Sequence, residues 1–336
     1  MTPRHLGLFT RLVRSGENED SATVYRHALE QFELAERLGY DAAWVAQHHL
    51  DPAEGGLPSP FVFLAHAAAR TPRLRLGTAI VTLALEDPIR VAEDAAVLDV
   101  LSGGRLEIGL GAGGSRHAFE LFDLAGADRQ QVYADKLAAL TAALAGAPLV
   151  GGRALNPPAG TLRNRLWQAT FSASGARRAG LAGDGLLLSK AQPRDTATVG
   201  ATLWEIQEPL VAAYLAALPA AAEPRIGASR GVFVADDHDT AWALAERGAA
   251  RFLEQLRRNG GPEVAGTVEE VLQDSFVGTP DEVVAKLSAD TALRQATDFI
   301  VQVHPVDPGR EATLRSIELI ATKVAPQLGW REGTKQ

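Results

Sequence analysis

Short apolar runs alternate with longer stretches in which apolar residues recur every three or four positions. His5 to Phe9 predicts a first strand. Ser21 to Leu38 predicts a helix, with Ala28, Phe32, Ala35 and Leu38 on one face and Gly39 as its stop. Ala42 to Ala46 predicts a second strand, with Gln47-His48-His49 at its end. A turn-rich loop, Asp51 to Pro60, and a helix through Ala69 follow. Leu74 to Val81 predicts a third strand. Asp87-Pro88 opens a helix that runs to about Leu101. Leu106 to Leu110 predicts a fourth strand, which enters Gly111-Ala112-Gly113-Gly114. Gln130 to Ala145 reads as helix and Gly146 to Arg165 as an inserted loop. Leu166 to Phe171 predicts a fifth strand, Gly175 to Leu181 a helix, and Leu186 to Ser189 a sixth strand. Lys190 to Pro224 reads as a second insertion, with an apolar helix around Pro209 to Leu218. Arg225 to Val234 predicts a seventh strand and Ala241 to Arg258 a long helix. Thr279-Pro280-Asp281-Glu282 is a helix start with a capping box. Asp298 to Val303 predicts an eighth strand ending at His304-Pro305, and Glu311 to Leu328 a final helix. Eight strands separated by helices predict an α/β chain folded as a single (β/α)8 TIM barrel over residues 1–336, with insertions after barrel strands. In such a barrel the chemistry gathers at the C-terminal ends of the strands.

Composition narrows the choice of partner. The chain has 33 basic and 41 acidic residues, a net charge of −8. That argues against nucleic acid, which needs a basic footprint. Cysteine is absent, which excludes disulfides, thiolate metal sites and a cysteine nucleophile. No apolar run approaches the roughly 18 residues needed to cross a bilayer, and the N-terminus does not read as a signal peptide. A cytoplasmic protein without membrane attachment is the expectation.

Three motifs carry candidate chemistry. Gly109-Leu110-Gly111-Ala112-Gly113-Gly114 follows a strand and matches the dinucleotide pattern. Yet it lies far from the first βα unit, and the acidic residue at the expected distance, Asp135, falls within a helix. The alternative is a loop whose glycines let backbone approach neighbouring strands or a ligand. His48 and His49 stand at a strand end. They share a face only if the strand has already ended, and no ligand spacing surrounds them, so no metal site is expected. Phe171-Ser172-Ala173-Ser174-Gly175 opens a helix and reads either as an anion site or as ordinary N-capping. Arg129 and Arg116 are possible cationic additions.

Taken in order, Ala43-Ala-Trp-Val-Ala-Gln-His-His49, Leu76-Gly-Thr-Ala-Ile80, Asp87-Pro-Ile-Arg90, Glu93-Asp94, Leu101-Ser-Gly-Gly-Arg-Leu106, Gly183-Asp-Gly185 and Val277-Gly-Thr-Pro-Asp-Glu282 resemble the bacterial luciferase-like monooxygenases. The resemblance covers nearly the whole chain. It implies a flavin-dependent barrel enzyme that uses reduced FMN and O₂, or a reduced deazaflavin, on a small organic substrate. It also implies a separate flavin reductase and a homodimer. By the same resemblance, His48 is the catalytic histidine that assists the peroxyflavin chemistry. Gln47 stands where luciferases carry a flavin-contacting Glu. Ala79 and Ile80 face the isoalloxazine ring across a peptide that is often cis. Phe171, Ser172, Gly175 and Arg129 hold the phosphate, and Gly114 and Ala169 complete the cofactor set. The chain departs from the pattern at Ala112, where luciferases use a second phosphate Arg, and at Lys190, where they place a Trp near the flavin. Lys190 or Arg116 is a possible compensation. The two insertions are expected to form a lid. A deazaflavin hydride-transfer enzyme, a non-catalytic flavin carrier and a metal hydrolase barrel are the rival readings.

Overall fold

Strands β1 (His5–Thr10), β2 (Ala42–Val45), β3 (Arg75–Thr82), β4 (Leu106–Gly111), β5 (Leu166–Ala169), β6 (Gly185–Leu188), β7 (Ile226–Val234), β8 (Ser275–Gly278) and β9 (Asp298–Gln302) all pair in parallel. The computed structural model describes residues 4–14, 19–50, 55–196, 198–260, 266–303 and 308–331. β1 to β7 pair in chain order, and β9 closes the ring by pairing with both β7 and β1. The closed barrel therefore has eight strands, and they are the eight that the hydrophobic pattern predicts. β8 is additional. It pairs only with the far half of β7, from Gly231 to Val234. Its four residues, Ser275–Gly278, run directly into the Thr279 cap and hold only two apolar residues, Phe276 and Val277, too few to read as an apolar run.

The helices are α1 (Ser21–Leu38), α2 (Pro60–Arg70), α3 (Pro88–Ser102), α4 (Arg116–Leu121), α5 (Arg129–Leu144), α6 (Ala173–Leu181), α7 (Leu203–Ala217), α8 (His238–Gly260), α9 (Val268–Leu272), α10 (Pro280–Leu287), α11 (Thr291–Gln295) and α12 (Arg310–Leu319). A π-helical turn, Ile320–Val324, continues α12 into a last turn, Ala325–Gln327. Their ends follow from local chemistry. Asp20 accepts a hydrogen bond from the Thr23 amide at 2.8 Å, and Asp87 caps α3 through the Ile89 and Arg90 amides. Each such cap stabilises by about 1 kcal/mol. Thr202 and Glu205 form a reciprocal capping box that starts α7 well before the apolar stretch around Pro209.

Two indoles fill the middle of the barrel. Trp44 and Trp167 meet edge to face with centroids 5.8 Å apart. Gly77 and Gly185 make room for them, because a Cβ at either would come within 2.1 or 2.2 Å of an indole carbon. Below the indoles, Trp167 Nε1 donates to Glu107 at 2.7 Å, and Arg75 bridges Glu107 and Asp298. Above them lies an apolar layer of Phe9, Ala79, Ile80, Ala169, Leu187 and Ile300.

The insertions do not act together as a lid. Gly146 to Arg165 follows α5 and enters β5 at the N-terminal end of the strands. There Arg165 binds Asp99 through both Nη atoms and also reaches the Gly104 and Leu106 carbonyls. None of this segment lines the cavity described below. Only the stretch after β6, up to Thr202, lies on the side where barrel enzymes place their chemistry. His304-Pro305 lies outside the described residues.

Candidate active site

A cavity of about 720 Å³ opens at the C-terminal ends of the strands, within the usual size range of cofactor sites. Its floor is the apolar layer above the indoles.

β2 ends at Val45, so the chain has left the strand when it reaches the histidines. Both His48 and His49 therefore line the cavity. The His48 amide donates to the Leu57 carbonyl at 3.0 Å. Its ring lies against Gly55, where a Cβ would stand 2.5 Å from Cδ2. The His49 ring meets Phe122 edge to face at 4.9 Å. Burial lowers the His49 pKa, with Glu86 opposing. Its buried Nε2 has no hydrogen-bond partner among the described residues.

Gln47 reaches the cavity wall, but its amide is occupied elsewhere. Oε1 accepts from the Thr82 amide at 2.8 Å, and Nε2 donates to the Pro58 carbonyl and to Glu86. Its backbone amide donates to the Ile80 carbonyl at 3.2 Å. Gln47 thus braces the end of β3, where the Ala79–Ile80 peptide is cis and the pairing with β4 slips between Thr78 and Val81.

The glycine-rich loop follows the second of its two readings. A Cβ at Gly109 would lie 2.0 Å from the Thr78 carbonyl oxygen, and one at Gly111 would lie 2.5 Å from Ile80 Cδ1. These glycines let β4 approach β3. Asp135 sits exposed on α5 with Gln131 as its partner. Ala112 and Gly114 line the cavity. Arg129 stands behind the loop, with its guanidinium 3.5 Å from the Gly113 and Gly114 carbonyls, and is not among the lining residues.

At the end of β5, Ala169, Phe171 and Ser172 line the wall. Ser172 caps α6: its Oγ accepts from the Gly175 amide at 3.2 Å and lies 3.1 Å from Ser174 Oγ. Gly175 is buried behind this turn and does not line the cavity. Two residues here escaped the sequence reading. Arg178 lines the cavity, donates to Gln168 Oε1 at 2.9 Å, and lies over the Tyr133 ring at 5.0 Å. Tyr133 is buried, and burial raises its pKa, with the neighbouring Arg178 opposing. Helical spacing could have found both, since Arg178 falls four residues after Ser174 and Tyr133 four after Arg129. Arg178 supplies a cation at the end where Ala112 offers none. Arg116 does not, because it is highly exposed and pairs with Glu120 at 2.8 Å.

Lys190 follows β6 on the cavity wall. Burial, then the neighbouring Arg11, push its pKa down to about 7, with Asp274 opposing. Asp274 is itself held by Arg194 through two hydrogen bonds of 2.8 Å.

These surroundings fit a molecule that is planar and apolar at one end and anionic at the other. The apolar floor suits a ring system. The hydroxyl turn, Arg178 and the Tyr133 hydroxyl beside it suit a phosphate. Among the described residues no group of three His, Asp or Glu side chains could hold a metal ion, and no helix is long and apolar enough to cross a membrane.

The family model for luciferase-like monooxygenases matches residues 5–296, and the chain belongs to that family of oxidoreductases. It is 26% identical to limonene 1,2-monooxygenase of Rhodococcus erythropolis over 92% of this chain and 83% of that protein. It is 33% identical to the oxygenase component of the flavin-dependent trigonelline monooxygenase of Acinetobacter baylyi, over 34% of this chain and 31% of that protein. Several curated relatives are matched over only about a third of their length. The crystal structure of the monooxygenase RslO1 from Streptomyces bottropensis superposes with a TM-score of 0.81 at 25% identity, covering 96% of this chain and 99% of that one.

Proposed function

We propose that the protein is a flavin-dependent monooxygenase that takes reduced FMN from a separate reductase and uses O₂ to oxidise a small organic substrate. The observation that carries this reading is the cavity itself, with an apolar floor, a hydroxyl turn with Arg178 at one end and His48 on the rim. The reductase is suggested by the relative named as an oxygenase component. Bound reduced flavin supplies the electrons that activate O₂.

The chain's own groups do the rest. Ser172, Arg178 and Tyr133 bind the phosphate, and Arg129 stiffens the Gly113–Gly114 loop from behind. Ala79, Ile80 and Ala169 form the shelf under the ring, and Gln47 keeps that shelf in place. His48 moves a proton through its imidazole. The apolar walls and the segment after β6 exclude water, which limits wasteful release of H₂O₂.

The test is a comparison of FMN with riboflavin. Ser172→Ala and Arg178→Ala should each weaken FMN at least tenfold while leaving riboflavin within about threefold, the scale of a lost charge-assisted contact. Equal losses for both ligands would show that the phosphate binds elsewhere. Preferential binding of a reduced deazaflavin, with turnover that needs no O₂, would establish the hydride-transfer alternative.

A further inference from the structure

The Gly183-Asp184-Gly185 turn just before β6 has no part in the cavity wall, yet it carries a carboxylate that is fully buried, at 0% exposure. Such a group must be matched by donors. Asp184 Oδ1 accepts from Arg163 Nη1, and Oδ2 accepts from Gln168 Nε2 at 2.8 Å. Burial pushes the Asp184 pKa up, with Gln168 and Arg163 opposing.

Gln168 is the third residue of β5 and is equally buried. Its neighbour Trp167 points into the barrel, so the Gln168 side chain faces the helix layer. There its Oε1 accepts from Arg178 Nε at 2.9 Å. The Arg178 guanidinium also lies over the Tyr133 ring at 5.0 Å. Arg163, Asp184, Gln168 and Arg178 thus form one continuous row, and of these four Arg178 alone lines the cavity.

The row has a single polarity. An ionised carboxylate only accepts, so Gln168 must turn Nε2 to Asp184 and Oε1 to Arg178. The opposite amide orientation would set two acceptors together at Asp184 and two donors together at Arg178. A hydrocarbon side chain at position 168 would pack β5 against α6 without the cost of burying a carboxylate and an amide. What the polar row adds is a fixed direction for the Nε edge of Arg178.

We propose that Gln168, its amide oriented by Asp184, is a positioning residue for the phosphate end of the cofactor site. It holds Arg178 and leaves the contact with the anion to Arg178. This rests on the reading of Ser172 and Arg178 as the phosphate end. Arg163 anchors the row from the segment before β5, which ties the first insertion to a site it does not line.

The experiment titrates reduced FMN and reduced riboflavin anaerobically into each variant and follows binding by calorimetry, so no turnover is needed. Gln168→Met should weaken FMN by about fivefold, the scale of one hydrogen bond, and leave riboflavin within about twofold. Gln168→Glu should keep the FMN preference, because a Glu that shares one proton with Asp184 still offers Arg178 a carbonyl oxygen. In an Arg178→Ala background Gln168→Met should cause no further loss of that preference. Asp184→Asn gives the same reading if Gln168→Met does not fold. The charged Arg163 keeps the one Asn oxygen, so an NH₂ meets Gln168 and turns its amide, and the FMN preference falls as in Gln168→Met. Equal losses for FMN and riboflavin in the variant that folds overturn the proposal, as does an unchanged preference or the same further loss without Arg178. A wild type that binds FMN no better than riboflavin would overturn the phosphate reading and the proposal with it, a result seen before any variant is made.

Discussion

Lys190 stays in the cavity against a burial penalty that brings its pKa to about 7, whereas a lysine in an unfolded chain titrates near about 10.4. The sign follows directly. Above pH 7 the folded state releases the proton while the unfolded chain keeps it, so this residue penalises stability most below pH 7. The penalty fades as pH rises towards 10. Lys190→Met should therefore raise the melting temperature of the ligand-free protein at pH 6, and the gain should shrink by pH 9.5. A pH-independent effect would show that the ammonium is well solvated. His48 is expected to behave differently. Its replacement by Ala should leave flavin affinity within a few-fold and cut turnover roughly 10²-fold, the scale of general acid–base assistance. Unchanged turnover would remove it from the mechanism. Gln47 shows how a residue can occupy a family position with another task, because its amide is used up by Thr82, Pro58 and Glu86. No reading of one sequence reveals which way an amide faces.

At the scale of elements, the segment between β6 and α7 is pinned by Arg194, which binds Asp274 and the Ala201 carbonyl. Arg194→Ala should raise amide exchange in residues 189–202 and increase the share of electrons lost as H₂O₂, with the strands unaffected. Exchange confined to other segments would mean the pin is unimportant. Gly109→Ala should destabilise by roughly 1–3 kcal/mol, the range for an overpacked core position, because its Cβ would meet the Thr78 carbonyl. The eight barrel strands were legible because strands buried on both faces read as unbroken apolar runs bounded by Gly, Asp and Pro. β8 was not, because Ser275 and Gly278 flank only two apolar residues, Phe276 and Val277, which make no apolar run. The sidedness of the first insertion was also hidden. Chain order shows that Gly146 to Arg165 is long, but only the closed ring shows that it enters β5 from the far end. The hydroxyl turn at Ser172 was legible as a cap, and the structure shows it is one. Helical spacing offers Arg178 and Tyr133 singly, but that the one lies over the other shows only in the fold, because they stand on α6 and α5.

At the scale of the whole molecule, the cavity at the strand ends rests on a floor of hydrocarbon over two indoles, with Arg11, Arg178 and Lys190 among its described lining residues. An apolar floor of this kind excludes water, a condition that oxygen chemistry on a bound flavin needs. The most direct test of this arrangement is an anaerobic titration with photoreduced FMN, followed by rapid mixing with air-saturated buffer, recording flavin reoxidation and H₂O₂ release together. Tight binding is expected, with reoxidation and H₂O₂ release at least tenfold slower than for free reduced FMN. Binding followed by reoxidation at the rate of the free flavin, or no binding at all, would contradict an FMN-dependent oxygenase.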